Sequence, residues 1–233
     1  MNPAFHYLLL DILYLAIPLS LSFSGKAPFF RKWKYLGIST LVTGIIFFSW
    51  DAVFTAMGVW EFNADRVAGL YILNVPLEQV LYYICISYAA VFVYHTLTHA
   101  IERDYIYFHH ELISSGLSVL FMVLGIFHMD KAFTGTVFVI SGIFLAFQMI
   151  VLKPRYMSRF YFATPLILLL LIPHALLITG QFSIQLVVWH DIQETMGIRL
   201  GTAPVEVLLF GWLIVLVNVT GYEWLRMRAA DYD

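Results

Sequence analysis

"NVPLEQVLYYICISYAAVFVYHTLT" (residues 74–98) decides how this chain folds. One carboxylate, Glu78, stands two residues after Pro76, and from Gln79 to Ile101 no Asp, Glu, Lys or Arg follows. An apolar run of that length matches the ~20 residues an α-helix needs to cross hydrocarbon, and it lacks the period-two alternation of a barrel strand. Charge-free runs recur at 35–50, 112–129, 132–152, 160–189 and 207–222, and only Asp11 interrupts 4–24. They predict seven helices, near 4–24, 33–54, 75–98, 112–128, 133–152, 160–180 and 203–225. Backbone polar groups in lipid must be paired within the chain, which selects helices here. The expected architecture is an all-α integral membrane protein with seven transmembrane helices.

Composition agrees. With 61% hydrophobic and 12% charged residues, the chain has too little polar surface to face water all round. A net charge of −2 offers no basic field, so a nucleic-acid partner is not expected. The single cysteine, Cys85, excludes an internal disulfide and a Cys-based zinc site. The first basic residue is Lys26, so the start reads as a retained first span and not as a cleaved leader. Lys26, Arg31, Lys32, Lys34, Arg103, Lys153, Arg155, Arg159, Arg226 and Arg228 fall on one side of a seven-helix layout. Only Arg66, Lys131 and Arg199 fall on the other. The positive-inside rule makes the first side cytoplasmic, with the N-terminus outside, the C-terminus inside, and segments 55–74 and 181–202 at the outer face of the cell membrane.

Those two outer segments resemble each other. Trp50 precedes Met57-Gly58-Val59, and Trp189 precedes Met196-Gly197-Ile198, at the same spacing; "VPLEQVLYY" and "APVEVLLFG" follow. The offset is 139 residues at the tryptophans and 128 at Pro76 and Pro204, which implies a second connecting segment eleven residues shorter. The chain therefore reads as one membrane domain made of a three-helix repeat (1–98), a linker helix (112–128) and a second three-helix repeat (133–233). Both Glu-bearing helices enter from the outer side, so the repeat is expected to be parallel, about an axis along the membrane normal.

Glu78 and Glu206 then become partners, each two residues after a proline at the start of a membrane helix. Two roles are open. An acid in the first turn complements the helix dipole or closes a capping box, although Asn74 to Glu78 and Thr202 to Glu206 are each one residue too far apart for that box. Alternatively, a carboxylic acid kept from water in the membrane is a functional group, able to protonate an apolar double bond. Aromatic rings lie one helical turn on, at Tyr82 and Phe210, where their π-faces would stabilise a cation; packing is the competing role. Asp51 ends the second helix and Asp191 sits near the matching place in the second half, although His190 is what aligns with Asp51. Either aspartate is a candidate to orient a glutamate. Asn74 and Thr202 are candidate caps or hydrogen-bond partners of the adjacent acids.

The stretches "GVWEFNADRVAGLYILNVPLEQVLYY" (58–83) and "GTAPVEVLLFGWLIVLVNVTG" (201–221) resemble the lycopene cyclase domain family, which includes heterodimeric bacterial carotenoid cyclases and the cyclase half of fungal fusion proteins. The similarity covers both halves. In that family Pro-x-Glu is followed by a second acid, whereas Gln79 and Val207 stand here. The resemblance implies a redox-neutral isomerisation of a linear lycopene end group to a β-ring. Glu78 and Glu206 would be the acid/base residues, and Trp60, Tyr82, Tyr83 and Phe210 the aromatic contacts to a lipophilic carotenoid. It implies no cofactor and no metal, a lipid-bilayer setting and association with other carotenoid enzymes. The sequence also lacks a dinucleotide-binding or P-loop glycine pattern.

Other readings compete. Small-solute transporters are also built from parallel three-helix repeats around a linker, but the charge-free runs offer few of the polar side chains that solute recognition needs. A retinal protein needs a mid-membrane lysine, and Lys26, Lys32, Lys34, Lys131 and Lys153 all lie in loops or at helix ends. His95, His99, His109 and His110 raise the thought of a di-iron site but are too few for one; His6, His128 and His174 are expected to pack or hydrogen-bond locally.

Overall fold

The structure, a computed structural model, describes residues 5–24, 28–101, 104, 106, 109–181 and 186–230. Lys26, Arg103 and the first residue, 4, of the expected span 4–24 lie outside that set. Among the described residues seven helices form: α1 (His6–Leu21), α2 (Trp33–Ala56), α3 (Leu77–Ala100), α4 (His110–Phe127), α5 (Ala132–Phe147), α6 (Met157–Ile178) and α7 (Val205–Ala230). A π-helical turn, Gln148–Leu152, extends α5. Six of the seven are long and apolar enough to cross a membrane; α1, at 16 residues, is apolar but shorter. The chain is a multi-pass membrane protein. Its lipid-facing helix surfaces carry Leu41, Ile45, Leu120 and Leu169, all exposed, because hydrocarbon imposes no penalty on apolar side chains.

The halves are interlocked. α2 packs on α7, α6 packs on α3, and α3 touches α7, while α1 flanks α3 and α5 flanks α7. Small residues permit these approaches. A Cβ on Gly142 of α5 would lie 3.0 Å from the Met122 backbone nitrogen of α4, and one on Gly221 of α7 would run into Ser39 Oγ of α2.

The segments leading into α3 and α7 contain short strands that the hydropathy pattern does not announce. In the first come β1 (Trp60–Phe62), a 3-10 turn (Ala64–Arg66), β2 (Tyr71–Ile72) and β3 (Val75–Pro76); in the second, β4 (Val188–His190), a 3-10 turn (Ile192–Glu194), β5 (Arg199–Leu200) and β6 (Ala203–Pro204). Every member of the first series stands 128 positions before its counterpart. Gly69 and Gly197 both take positive φ, 81° and 83°, as do Leu73 and Gly201, 57° and 60°. This corrects the expected register. Trp50 lies inside α2 whereas Trp189 lies in β4, and Met57 ends α2 whereas Met196 precedes β5. The doublets at 57 and 196 are a coincidence of composition, and the described elements from Trp60 to Glu78 need no deletion to match those from Val188 to Glu206.

β1 and β4 pair antiparallel, Trp60 with His190, Glu61 with Trp189 and Phe62 with Val188. Exchanging positions 128 apart maps this register onto itself. The flanking bonds obey the same exchange: Asn63 N–H donates to Val187 C=O and Asp191 N–H to Val59 C=O, both at 2.9 Å. The segments leading into α3 and α7 thus pair with each other.

Candidate active site

Each Glu-bearing helix begins under its own loop. The hairpin β2–β3 feeds α3 directly, with Leu77 N–H bonded to Leu70 C=O at 2.8 Å, and β5–β6 feeds α7 with the matching Val205-to-Ile198 bond at 3.1 Å. Glu78 is 1% exposed and Glu206 fully buried. Glu78 Oε1 accepts from the Ala68 N–H at 2.6 Å, and Glu206 Oε1 accepts from the equivalent Met196 N–H at 2.6 Å. Glu206 Oε1 also accepts from Thr134 Oγ1 on α5, at 2.6 Å. Both glutamates therefore anchor backbone ten residues upstream with one oxygen. The other oxygen of each, Oε2, is buried and has no hydrogen-bond partner among the described residues.

The expected caps do something else. Asn74 Nδ2 donates to Ala52 C=O near the end of α2, and Thr202 Oγ1 meets Thr179 Oγ1 just past the end of α6, both at 2.8 Å. The residue preceding α3 is Pro76, which offers no side-chain cap. Asn74 and Thr202 thus pin each hairpin to the preceding membrane helix, and among the described residues neither bonds a glutamate. Asp191 is likewise displaced from its expected place. It caps the 3-10 turn, accepting from Gln193 N–H at 2.9 Å, as Asn63 accepts from Asp65 N–H at 3.0 Å. Asp191 is thus the counterpart of Asn63, not of Asp51.

Asp51 lies in a polar cluster built from the first half, with His174 of α6 at its edge. Its Oδ2 accepts from Gln79 Nε2 at 2.6 Å and from the Tyr83 hydroxyl, while the Tyr7 hydroxyl donates to Gln79 Oε1. Asp51 Oδ1 is buried and unpartnered among the described residues. One turn along α1 from Tyr7, both oxygens of Asp11 are also buried without a hydrogen bond, and His174 Nε2 of α6 stands 3.6 Å away. The His174 ring stacks on Tyr82, with centroids 4.6 Å apart. Positions corresponding to Gln79, Tyr82 and Tyr83 are Val207, Phe210 and Gly211 in the second half. Gln79 and the two tyrosines thus have no polar counterparts there.

A cavity of about 50 Å³ joins these groups, lined by Asp51, Gln79, Tyr82, His174 and Tyr7 on one side and by aromatic and aliphatic side chains on the other. Trp60, Phe133, Phe210 and His190 supply its rings; Trp60 and Phe133 meet edge to face at 5.0 Å, and His190 stacks on Phe133 at 6.0 Å. Burial, and then the Arg199 charge, pull the His190 imidazole down to about 3, so it is neutral near pH 7. The wall is thus a ring of π-faces beside unpartnered carboxyl oxygens. Such a site can donate a proton and stabilise the cation that results.

Of the aromatic candidates, Trp60, Tyr82 and Phe210 line this cavity and Tyr83 bonds the Asp51 that does. Neither Glu78 nor Glu206 lines it directly, although Gln79 and Val207, their neighbours in sequence, do. Sequence reasoning missed Gln79, Tyr7, Asp11 and His174 as a group. The one available signal was Asp11, the lone charge in its run. His95 and His99 are stacked at 4.1 Å, His95 faces the Tyr222 hydroxyl, and no three metal-ligating side chains converge among the described residues.

Two segments, residues 4–97 and 117–225, match the family model described as Lycopene cyclase. No curated protein and no solved structure matches the chain.

Proposed function

The chain belongs to the lycopene cyclase family, and from that premise we propose that it closes the linear end group of lycopene to a β-ring by acid catalysis in the aromatic cavity. The observation that carries this reading is a set of four buried carboxyl groups, Asp11, Asp51, Glu78 and Glu206, each keeping an oxygen without a hydrogen bond among the described residues. Buried polar atoms are normally satisfied, so four such carboxyl groups, with Asp51 in the cavity wall itself, argue for a use beyond folding.

In the reaction a carboxylic acid gives its proton to the terminal double bond, leaving a tertiary cation. The electron pair of the internal alkene forms the ring C–C bond and moves the cation onto the ring. A carboxylate then takes a ring proton, and its electron pair becomes the ring double bond. Atoms and electrons balance without a redox partner. Glu78 and Glu206 are the acid/base candidates, with Asp51 the carboxyl group that lines the cavity itself. Trp60, Tyr82 and Phe210 face the developing cation. Gln79, standing where the family has a second acid, holds Asp51 in place of that acid. At about 50 Å³ the cavity has room for a few water molecules but not for a ring-sized group. The end group must therefore displace side chains as it enters.

The proposed setting is the cytoplasmic membrane, with the N-terminus and both outer segments on the outer side, and with α4 linking two parallel three-helix halves. The self-matching β1–β4 register supports that symmetry. Expression in lycopene-accumulating cells tests the function: the intact chain should yield ring-bearing pigment. Asp51→Asn and Glu78→Gln should each lower the yield by about 10²–10⁴-fold, the span of a lost general acid or base. Unchanged pigment from every acid variant would remove these residues from the mechanism.

A further inference from the structure

Alongside the polar cluster, on the lipid-facing side of the first half, α1, α2 and α3 enclose an apolar groove of about 760 Å³. Its floor is α2, where Gly37, Leu41, Gly44 and Phe48 fall on one helical face, and its sides include Leu15, Leu19, Val80 and Ile84. From Trp33 to Phe48 it runs about 22 Å at 1.5 Å per residue, most of the ~30 Å depth of the hydrocarbon.

Its few polar groups are already engaged. Trp33 Nε1 donates to the Tyr88 hydroxyl at 3.0 Å, and Thr40 Oγ1 accepts from Asn218 Nδ2 at 3.0 Å. Tyr83 donates its hydroxyl to Asp51. What remains is hydrocarbon, shaped as a long trough. Both glycines leave it open: a Cβ on Gly37 or Gly44 would meet nothing within 4 Å.

The groove and the cavity lie on adjacent faces of α3. Val80, Tyr83 and Ile84 line the groove, while their neighbours Gln79 and Tyr82 line the cavity. Tyr83 stands between them, its ring against the groove and its hydroxyl on the carboxylate of the cavity wall. We infer that the groove is the binding site for the straight, unfunctionalised polyene body of the substrate, with the end group passing Tyr83 to reach Asp51. The inference rests on the cyclase reading for the identity of the end group. The site itself requires only a long hydrocarbon without polar substituents.

The test is direct binding of lycopene to the purified full chain in phosphatidylcholine nanodiscs, read as pigment retained per protein after washing. Gly37→Leu and Gly44→Leu fill the trough, and each replaces glycine with a residue about 0.8 kcal/mol better in a helix, so the fold should hold. Gly116→Leu on α4, also facing open space, is the control. The expected result is retention by the intact chain and the control, and at least a tenfold loss in the two groove variants at unchanged thermal midpoint. Equal retention in all four proteins overturns the inference, as does no retention by the intact chain or displacement of pigment by phospholipid alone. If pigment is retained in the groove-dependent pattern while lycopene-accumulating cells yield no ring-bearing product, the groove stands and the cyclase reading falls.

Discussion

At Glu78 and Glu206 one oxygen is occupied and the other is not, and this division separates two kinds of substitution. Gln keeps an acceptor for the Ala68 or Met196 N–H, so Glu78→Gln should retain its thermal midpoint in detergent while losing turnover. Glu78→Ala leaves the Ala68 N–H unpaired at a cost of about 1–3 kcal/mol, and should lower both. A Gln variant with full turnover, beside an Ala variant that only unfolds sooner, would assign Glu78 to the loop alone. Leu73 offers a second test. It takes φ of 57° in a two-residue turn where the second half has Gly201 at 60°. Left-handed backbone costs a non-glycine residue about 1–2 kcal/mol, so Leu73→Gly should raise the midpoint and Gly201→Leu should lower it. The burial of both glutamates at helix starts was legible in sequence, because Pro-x-Glu before an apolar run is a local pattern. Their Ala68 and Met196 partners were not, since they lie ten residues away in loop backbone that hydropathy does not describe.

Helices announced themselves as charge-free runs, and α2 through α7 fall within a few residues of the expected limits. Strands of two or three residues leave no alternation to detect, and a repeated Met-Gly doublet pointed to the wrong register. Helix contacts carry their own prediction. Gly142→Leu should separate α5 from Met122 of α4 and cost about 1–3 kcal/mol, the usual penalty of overpacking, read as a lower thermal midpoint. β4 predicts a pH dependence. His190 binds its proton only near pH 3 when folded, against about 6.5 when unfolded. The unfolded chain thus holds the extra proton between those values. Stability from this residue is full above about pH 6.5 and falls as pH drops toward 3. His190→Gln should flatten that acid limb in thermal scans, whereas an unchanged limb would place the titration elsewhere.

The molecule as a whole is held by exchange: α2 lies on α7, α6 on α3, and β1 on β4. A chain divided between α3 and α4 should therefore reassemble when both pieces are co-expressed, restoring turnover that neither piece has alone; failure to co-purify would show that covalent linkage is needed. Duplication was legible from the paired Pro-x-Glu motifs. The inequality of the halves was not, because Asp51, Gln79, Tyr7, Asp11 and His174 come from four helices, and only folding gathers them. The β1–β4 ladder has one more implication. A strand pair unchanged when its members trade places is an isologous contact, the kind two identical short chains make with each other. Two short chains, each bearing one such segment, could meet along the same seam that here joins two parts of one chain.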